Sequence, residues 1–154
     1  MIGRFERFSY AIFEISRCWH KLAAEEMEKY GLRGPFAVYL IALQNSPEGL
    51  TAVRLCELCA RDKADVSRAV SLMVRKGFIK RKGLRYRALL QLTDAGREAA
   101  QHVCKRAATA VELAGKGFSE EERETFYQVL GTITANLQQL SKDGLPETAA
   151  QEGE

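Results

Sequence analysis

The sequence predicts a mainly α-helical domain of six helices interrupted by one two-stranded β-hairpin. Three observations carry that prediction. Apolar residues recur in steps of three and four near both ends of the chain, the dipeptide Lys82-Gly83 separates two runs of strand-like residues, and Lys and Arg crowd into one segment around that dipeptide. With 154 residues, 46% of them hydrophobic and 28% charged, the chain can bury one ordinary core without metal or disulfide staples. No apolar run approaches the roughly 20 residues that a membrane-spanning helix needs. The first eight residues carry Arg4, Glu6 and Arg7 with no apolar stretch behind them, so a cytoplasmic location is expected.

Phe5, Phe8, Ile12, Ile15, Trp19 and Leu22 form one helical stripe, placing the first helix at about 4–29, with Gly31 suited to the left-handed cap after it. Pro35 opens a second helix to about Leu43, apolar almost all round and so expected to be deeply buried. After the turn cluster at 45–49, Thr51 is a fitting N-cap for a short helix to Cys59, and Asp62 for another from 63 to 76. Asp62 and Asp65 both lie where the helix dipole favours negative charge, which accounts for them without chemistry.

On the 63–76 helix, Val66, Ala69, Val70 and Met73 share the inward side, while Ala64, Ser67, Arg68, Ser71 and Arg75 share the outward one. Small residues let a backbone approach a surface closely, and Arg and Ser supply donors to phosphates and base edges. Lys76-Gly77 ends the helix, and Phe78 to Lys82 followed by Leu84 to Leu92 reads as a hairpin turning at Lys82-Gly83. Its second strand should put Tyr86, Ala88, Leu90 and Leu92 on one face and Arg85, Arg87 and Gln91 on the other, leaving Leu89 as a misfit. Thr93 caps a long helix to about Ala114, Gly115-Lys116-Gly117 breaks it, and Ser119 with Glu122 forms a capping box for a last helix striped by Phe126, Val129, Leu130, Ile133, Leu137 and Leu140. Residues 143–154 read as a flexible acidic tail.

The net charge of +3 hides a sharp asymmetry. Residues 61–87 hold ten Lys or Arg against only Asp62 and Asp65, a local charge of +8, and the rest of the chain is about −5. A nearly single-signed run of this kind is the footprint of a polyanion partner. There is no phosphate loop, nucleophile motif or carboxylate pair at a catalytic spacing, and no enzymatic activity is expected. Cys18, Cys56, Cys59 and Cys104 are too few and too irregular for a secreted disulfide framework. Cys56 and Cys59 share a helical face and read as core, and His20, His102 and Cys104 lack a compact spacing with them for zinc, so neither metal nor cofactor is expected.

A short helix turning into a basic-faced helix, then a basic hairpin, is the order of a winged helix-turn-helix, whose second helix enters the major groove while the hairpin reaches the flanking backbone. Four stretches extend the likeness: Leu55-Cys56-Glu57-Leu58-Cys59, Asp62-Lys63-Ala64-Asp65-Val66-Ser67-Arg68, Val74-Arg75-Lys76-Gly77-Phe78-Ile79-Lys80-Arg81, and Leu92-Thr93-Asp94-Ala95-Gly96-Arg97. On these the chain resembles the multiple antibiotic resistance regulator (MarR) family from about residue 5 to 140. The resemblance implies an intertwined homodimer, with residues 4–34 and 94–142 as dimerisation helices, 35–93 as the DNA-binding lobe, and 1–142 as a single chain fold.

It further implies a transcriptional regulator on a pseudo-palindromic operator, a repressor released by a small-molecule or oxidant signal. The DNA-binding residues would be Lys63, Ala64, Ser67, Arg68, Ser71, Arg75, Lys80, Arg81, Lys82, Arg85 and Arg87. Trp19, His20, Phe36 and Tyr39 would line a pocket for a small aromatic effector, and Cys18 would be the redox candidate. One departure stands out. The family's wing carries an Asp two residues before an Arg, where this chain has Leu84 with Arg85 and Arg87 nearby. That absence is what supports the alternative of a winged-helix dimer used as a protein-interaction adaptor without DNA binding.

Overall fold

The computed structural model describes residues 3–84 and 87–146. In chain order these form α1 (Arg4–Glu28), a 3-10 turn (Gly34–Phe36), α2 (Ala37–Gln44), α3 (Ala52–Cys59), α4 (Lys63–Arg75), β1 (Ile79–Lys82), β2 (Leu89–Leu92), α5 (Asp94–Ala114) and α6 (Glu120–Asp143). Among the described residues no helix is long and apolar enough to cross a membrane. The chain divides into two compact units, Met1–Ala110 and Val111–Glu154, with α5 running from the first into the second.

The core of the first unit gathers Met27 from α1, Leu40 and Leu43 from α2, Leu55 from α3, Val66, Val70 and Met73 from α4, Ile79, Leu90 and Leu92 from the strands, and Ala99, Ala100 and Val103 from α5. Within α2, α4 and α5 these residues fall three or four apart, as an amphipathic stripe requires. Caps fix where the short helices begin. The Thr51 hydroxyl accepts from the Arg54 amide at 3.2 Å, and the Asp62 carboxylate accepts from the Asp65 amide at 2.8 Å. Between them Ala60 takes the left-handed conformation (φ 48°), which reverses the chain from α3 into α4.

Three sequence expectations are revised. The second helix does not open at Pro35: a 3-10 turn comes first, because Gly34 lies against the α1 backbone, where a Cβ would stand 3.0 Å from the Ala24 nitrogen. Proline suits that tight turn, having no amide to satisfy. Nor is α2 buried all round, for Ala37, Tyr39, Leu40 and Leu43 are covered while Val38 is exposed and Ile41 half-buried.

The hairpin does not turn at Lys82-Gly83. Lys82 pairs with Leu89 and Ile79 with Leu92, so the pairing stops short of Gly83 and Leu84 on one side and of Ala88 on the other, and Tyr86 lies outside the described residues. The pairing is anchored by Ile79, Leu90 and Leu92 in the core, whereas Leu84, at 88% exposure, has no core to reach. Ala88, Leu90 and Leu92 are buried, as the alternation required. The misfit at Leu89 resolves because the opposite face is covered in part by the turn before α3. Gly49 packs on Leu89 and Gln91, the Gln91 amide donates to the Glu48 carbonyl at 2.9 Å, and Leu50 bridges Leu90 through reciprocal backbone bonds of 3.1 and 2.8 Å.

In the second unit, Ser119 and Glu122 close the expected capping box, with the Glu122 amide donating to the serine hydroxyl at 3.2 Å and the Ser119 amide to the glutamate at 2.7 Å. The Ser119 amide, and after it the Ser119 hydroxyl, hold the Glu122 carboxyl below its usual range. Arg123 pairs with Glu112 at 3.2 Å across the glycine break.

Candidate nucleic-acid interface

The outward face of α4 is built by its inward one. Val66, Ala69, Val70 and Met73 are all buried, and they fix the rotation of the helix about its axis. Lys63, Ala64, Ser67, Arg68, Ser71 and Arg75 are consequently left exposed together. The face carries one acid, Asp65, and it is engaged: Arg68 donates to its carboxylate one helical turn away. With the Arg68 side chain 71% exposed, such a pair is worth at most about 1 kcal/mol, so a phosphate or a guanine edge can compete for the guanidinium. Asp62 is spent on its cap, and the Asp65 amide that it accepts from holds its carboxyl below the usual range.

The hairpin supplies the second cluster. Ile79 anchors β1 in the core while Lys80, Arg81 and Lys82 are exposed, and Arg87 is exposed on the connection. Arg85 lies outside the described residues. The root of this wing is locked to α5. The Thr93 amide donates to the Phe78 carbonyl at 3.0 Å, its hydroxyl donates to the Gly77 carbonyl at 2.5 Å, and that same oxygen accepts from the Gly96 amide at 3.1 Å.

An open cleft of about 640 Å³ runs along α4 and contains Ser67, Arg68, Ser71 and Arg75. It also contains Arg33, from the segment before α2, and Arg61, from the turn between α3 and α4. Neither was among the residues singled out from sequence. Arg61 was countable within the basic segment, but nothing in the spacing marked it, and Arg33 stands alone in sequence 30 residues from the helix it joins.

The residues read as an effector pocket divide. Trp19 and His20 line a separate cavity of about 160 Å³ between α1, α2 and α5, whereas Phe36 and Tyr39 line the cleft along α4. Burial raises the Tyr39 hydroxyl above its ordinary value, and the nearby Arg61 charge works against that rise. Beside the cavity Glu26, whose side chain is 15% exposed, takes three side-chain partners: Lys29 at 2.6 Å, His102 at 2.6 Å and Arg106 at 2.8 Å. The lysine contact leads in holding its carboxyl down at about 2.

Burial pushes the Cys59 and Cys104 thiols up, which disfavours the reactive thiolate. Cys18 is exposed, with its sulfur 3.6 Å from a Glu14 oxygen. Among the described residues no three His, Cys, Asp or Glu side chains gather as metal ligands.

No protein-family model and no curated protein matches the chain. Solved structures do. A MarR-family transcriptional regulator from Listeria monocytogenes, crystallised with a 26mer DNA, superposes with a TM-score of 0.78 at 21% identity over 96% of this chain and 99% of that one. A MarR regulator from Methanosarcina mazei gives 0.76 at 20% identity, covering 88% and 99% of the two chains. A third from Silicibacter pomeroyi gives 0.74 at 20%, covering 96% and 97%. The chain has the MarR winged-helix fold.

Proposed function

We propose that this MarR-fold chain is a homodimeric transcriptional regulator that binds duplex DNA through α4 and the β1–β2 wing and represses by occupying a pseudo-palindromic operator. The observation that carries the reading is the outward face of α4, small and cationic, with its one acid, Asp65, paired to Arg68 and the Asp62 before it engaged as the cap, and with Lys80, Arg81 and Lys82 beside it in sequence and fold. The Listeria relative with DNA bound supports the same ligand class. Release by a small molecule fits the cavity between α1, α2 and α5.

Dimerisation is supported by two unpartnered apolar faces. On α1, Phe5, Phe13 and Ile15 are 80%, 71% and 61% exposed, and on α6 Phe126, Val129 and Leu137 are each about half exposed. Apolar surface of this extent on a soluble chain marks an interface. Two copies would present two α4 helices, as the two half-sites of a palindrome require.

The test is fluorescence anisotropy with a labelled random duplex across a salt series. If each subunit neutralises about four phosphates, log K falls with log salt at a slope of about −7. A flat response at low salt would remove the DNA-binding reading and leave a winged-helix adaptor in its place.

A further inference from the structure

Two arginines from outside both the helix and the wing meet the outward face of α4. Arg33, from the connection before α2, and Arg61, from the turn between α3 and α4, line the same open cleft as Ser67, Arg68, Ser71 and Arg75, and none of Lys80, Arg81, Lys82 or Arg87 lines it. We propose that Arg33 and Arg61 bind phosphates of the duplex backbone, anchoring the DNA beside α4 without reading its sequence. This inference rests on the function proposed above and adds a third contact region to α4 and the hairpin, with its residues and their role.

The charge of the cleft is one-sided. Four guanidinium groups border it, and the one carboxylate there, Asp65, is taken by Arg68. Arg33, Arg61 and Arg75 have no ion pair among the described residues. Like charges gathered in this way repel one another in the free protein, and a polyanion relieves that repulsion while shedding its own counterions. The planar fork of each guanidinium matches a phosphate with two parallel bonds.

Position separates these two arginines from Arg68. The major groove is about 12 Å wide and an α-helix with its side chains about 10–12 Å across, so a single helix fills it. Side chains that start outside α4 therefore meet the rim of the groove, which is sugar and phosphate. Both backbones are fixed beforehand. Arg33 sits between Leu32, which is buried, and Gly34, which packs on the Ala24 backbone, and its carbonyl accepts the Phe36 amide at 3.0 Å. Arg61 follows the left-handed Ala60, donates its amide to the Cys56 carbonyl at 3.1 Å and precedes the Asp62 cap. Both side chains stay exposed, so binding costs side-chain freedom alone.

The experiment is a salt series of fluorescence anisotropy on full-length wild type, Arg33→Gln, Arg61→Gln, the double variant and Arg61→Lys, with circular dichroism to verify that each keeps its helices. Two labelled duplexes are used, one of random sequence and one selected by the wild type from a random-sequence pool. A dimer carries each arginine twice, so each single Gln variant should flatten the slope of log K against log salt by about 2, from about −7 to about −5, and the double variant by about 4. At 50 mM salt each single Gln variant should bind both duplexes at least about tenfold more weakly and keep its preference between them within about twofold. Arg61→Lys retains the charge and should retain the wild-type slope. An unchanged slope in either Gln variant, a loss confined to the selected duplex, or a slope in Arg61→Lys as flat as in Arg61→Gln would overturn the proposal. A wild type whose binding ignores salt would sink the function proposed above, and this assignment with it; a steep wild-type slope shared by the Gln variants would sink the assignment alone.

Discussion

The carbonyl oxygen of Phe78 lies so close to Gly96 that a Cβ on that glycine would stand 1.9 Å from it. No real side chain tolerates that separation, so α5 can start against the root of the wing only with glycine at this position. The same Phe78 carbonyl accepts the Thr93 amide, and Gly77 accepts the Thr93 hydroxyl. The motifs Lys76-Gly77-Phe78 and Thr93-Asp94-Ala95-Gly96 are thus two halves of one joint.

Gly96→Ala should therefore force the joint apart and cost at least about 2 kcal/mol, the usual scale for steric insertion at a packed site. Chemical denaturation followed by circular dichroism checks this. An unchanged midpoint would mean that α5 shifts freely on the wing, contrary to the packing described.

Arg68→Ala should weaken binding to a selected DNA site by about 1–3 kcal/mol and flatten the preference among sites. Asp65→Asn tests the same pair from the other side. It leaves the Asp62 cap bonded to the backbone amide, removes a repelling charge and frees Arg68, so random duplex should be bound more tightly, by about 1 kcal/mol or less. Weaker binding of Asp65→Asn would show that the carboxylate positions Arg68 rather than competing for it.

Much of the fold was legible because helical stripes and caps are local signals. Thr51, Asp62 and Ser119 each cap the helix their position announced, and the buried side of α4 follows from its spacing. What escaped was set by contacts distant in the chain. The 3-10 turn at Gly34 exists because that residue meets Ala24, and β2 is short because Leu84 finds no core. Arg33 reaches the α4 cleft only through the path of the chain between α1 and α2. Phe36 and Tyr39 looked like neighbours of Trp19 for want of knowing which side of α2 turns inward.

Acid should act on the first unit through Glu26. Its carboxyl is held at about 2, below the ordinary value of 4.5, so the stabilisation it brings is complete above about 4.5 and is lost as pH falls towards 2. The full loss is up to about 3 kcal/mol. Urea midpoints between pH 2 and 7 should show this slope in the wild type and a smaller one in Glu26→Gln. An identical slope in the variant would place the acid sensitivity elsewhere.

Charge placed on either exposed apolar face should dissociate the proposed dimer. Ile15→Glu on α1 and Val129→Glu on α6 should each elute as monomers in light-scattering chromatography at micromolar concentration while keeping their helical signal. Their affinity for a palindromic site should fall towards that of a single half-site. Retention of the wild-type mass by both variants would argue that these faces do not meet a second copy.

The strand register has a consequence for how such a reader could diversify. Ile79 with Leu92 and Arg81 with Leu90 are pinned at the base by core side chains, and the pairing ends at Lys82 with Leu89. Length and charge at the tip are thus decoupled from helix placement. Selection, or a library built on this scaffold, could retune the reach of the wing in the proposed DNA complex while α4 stays where it is.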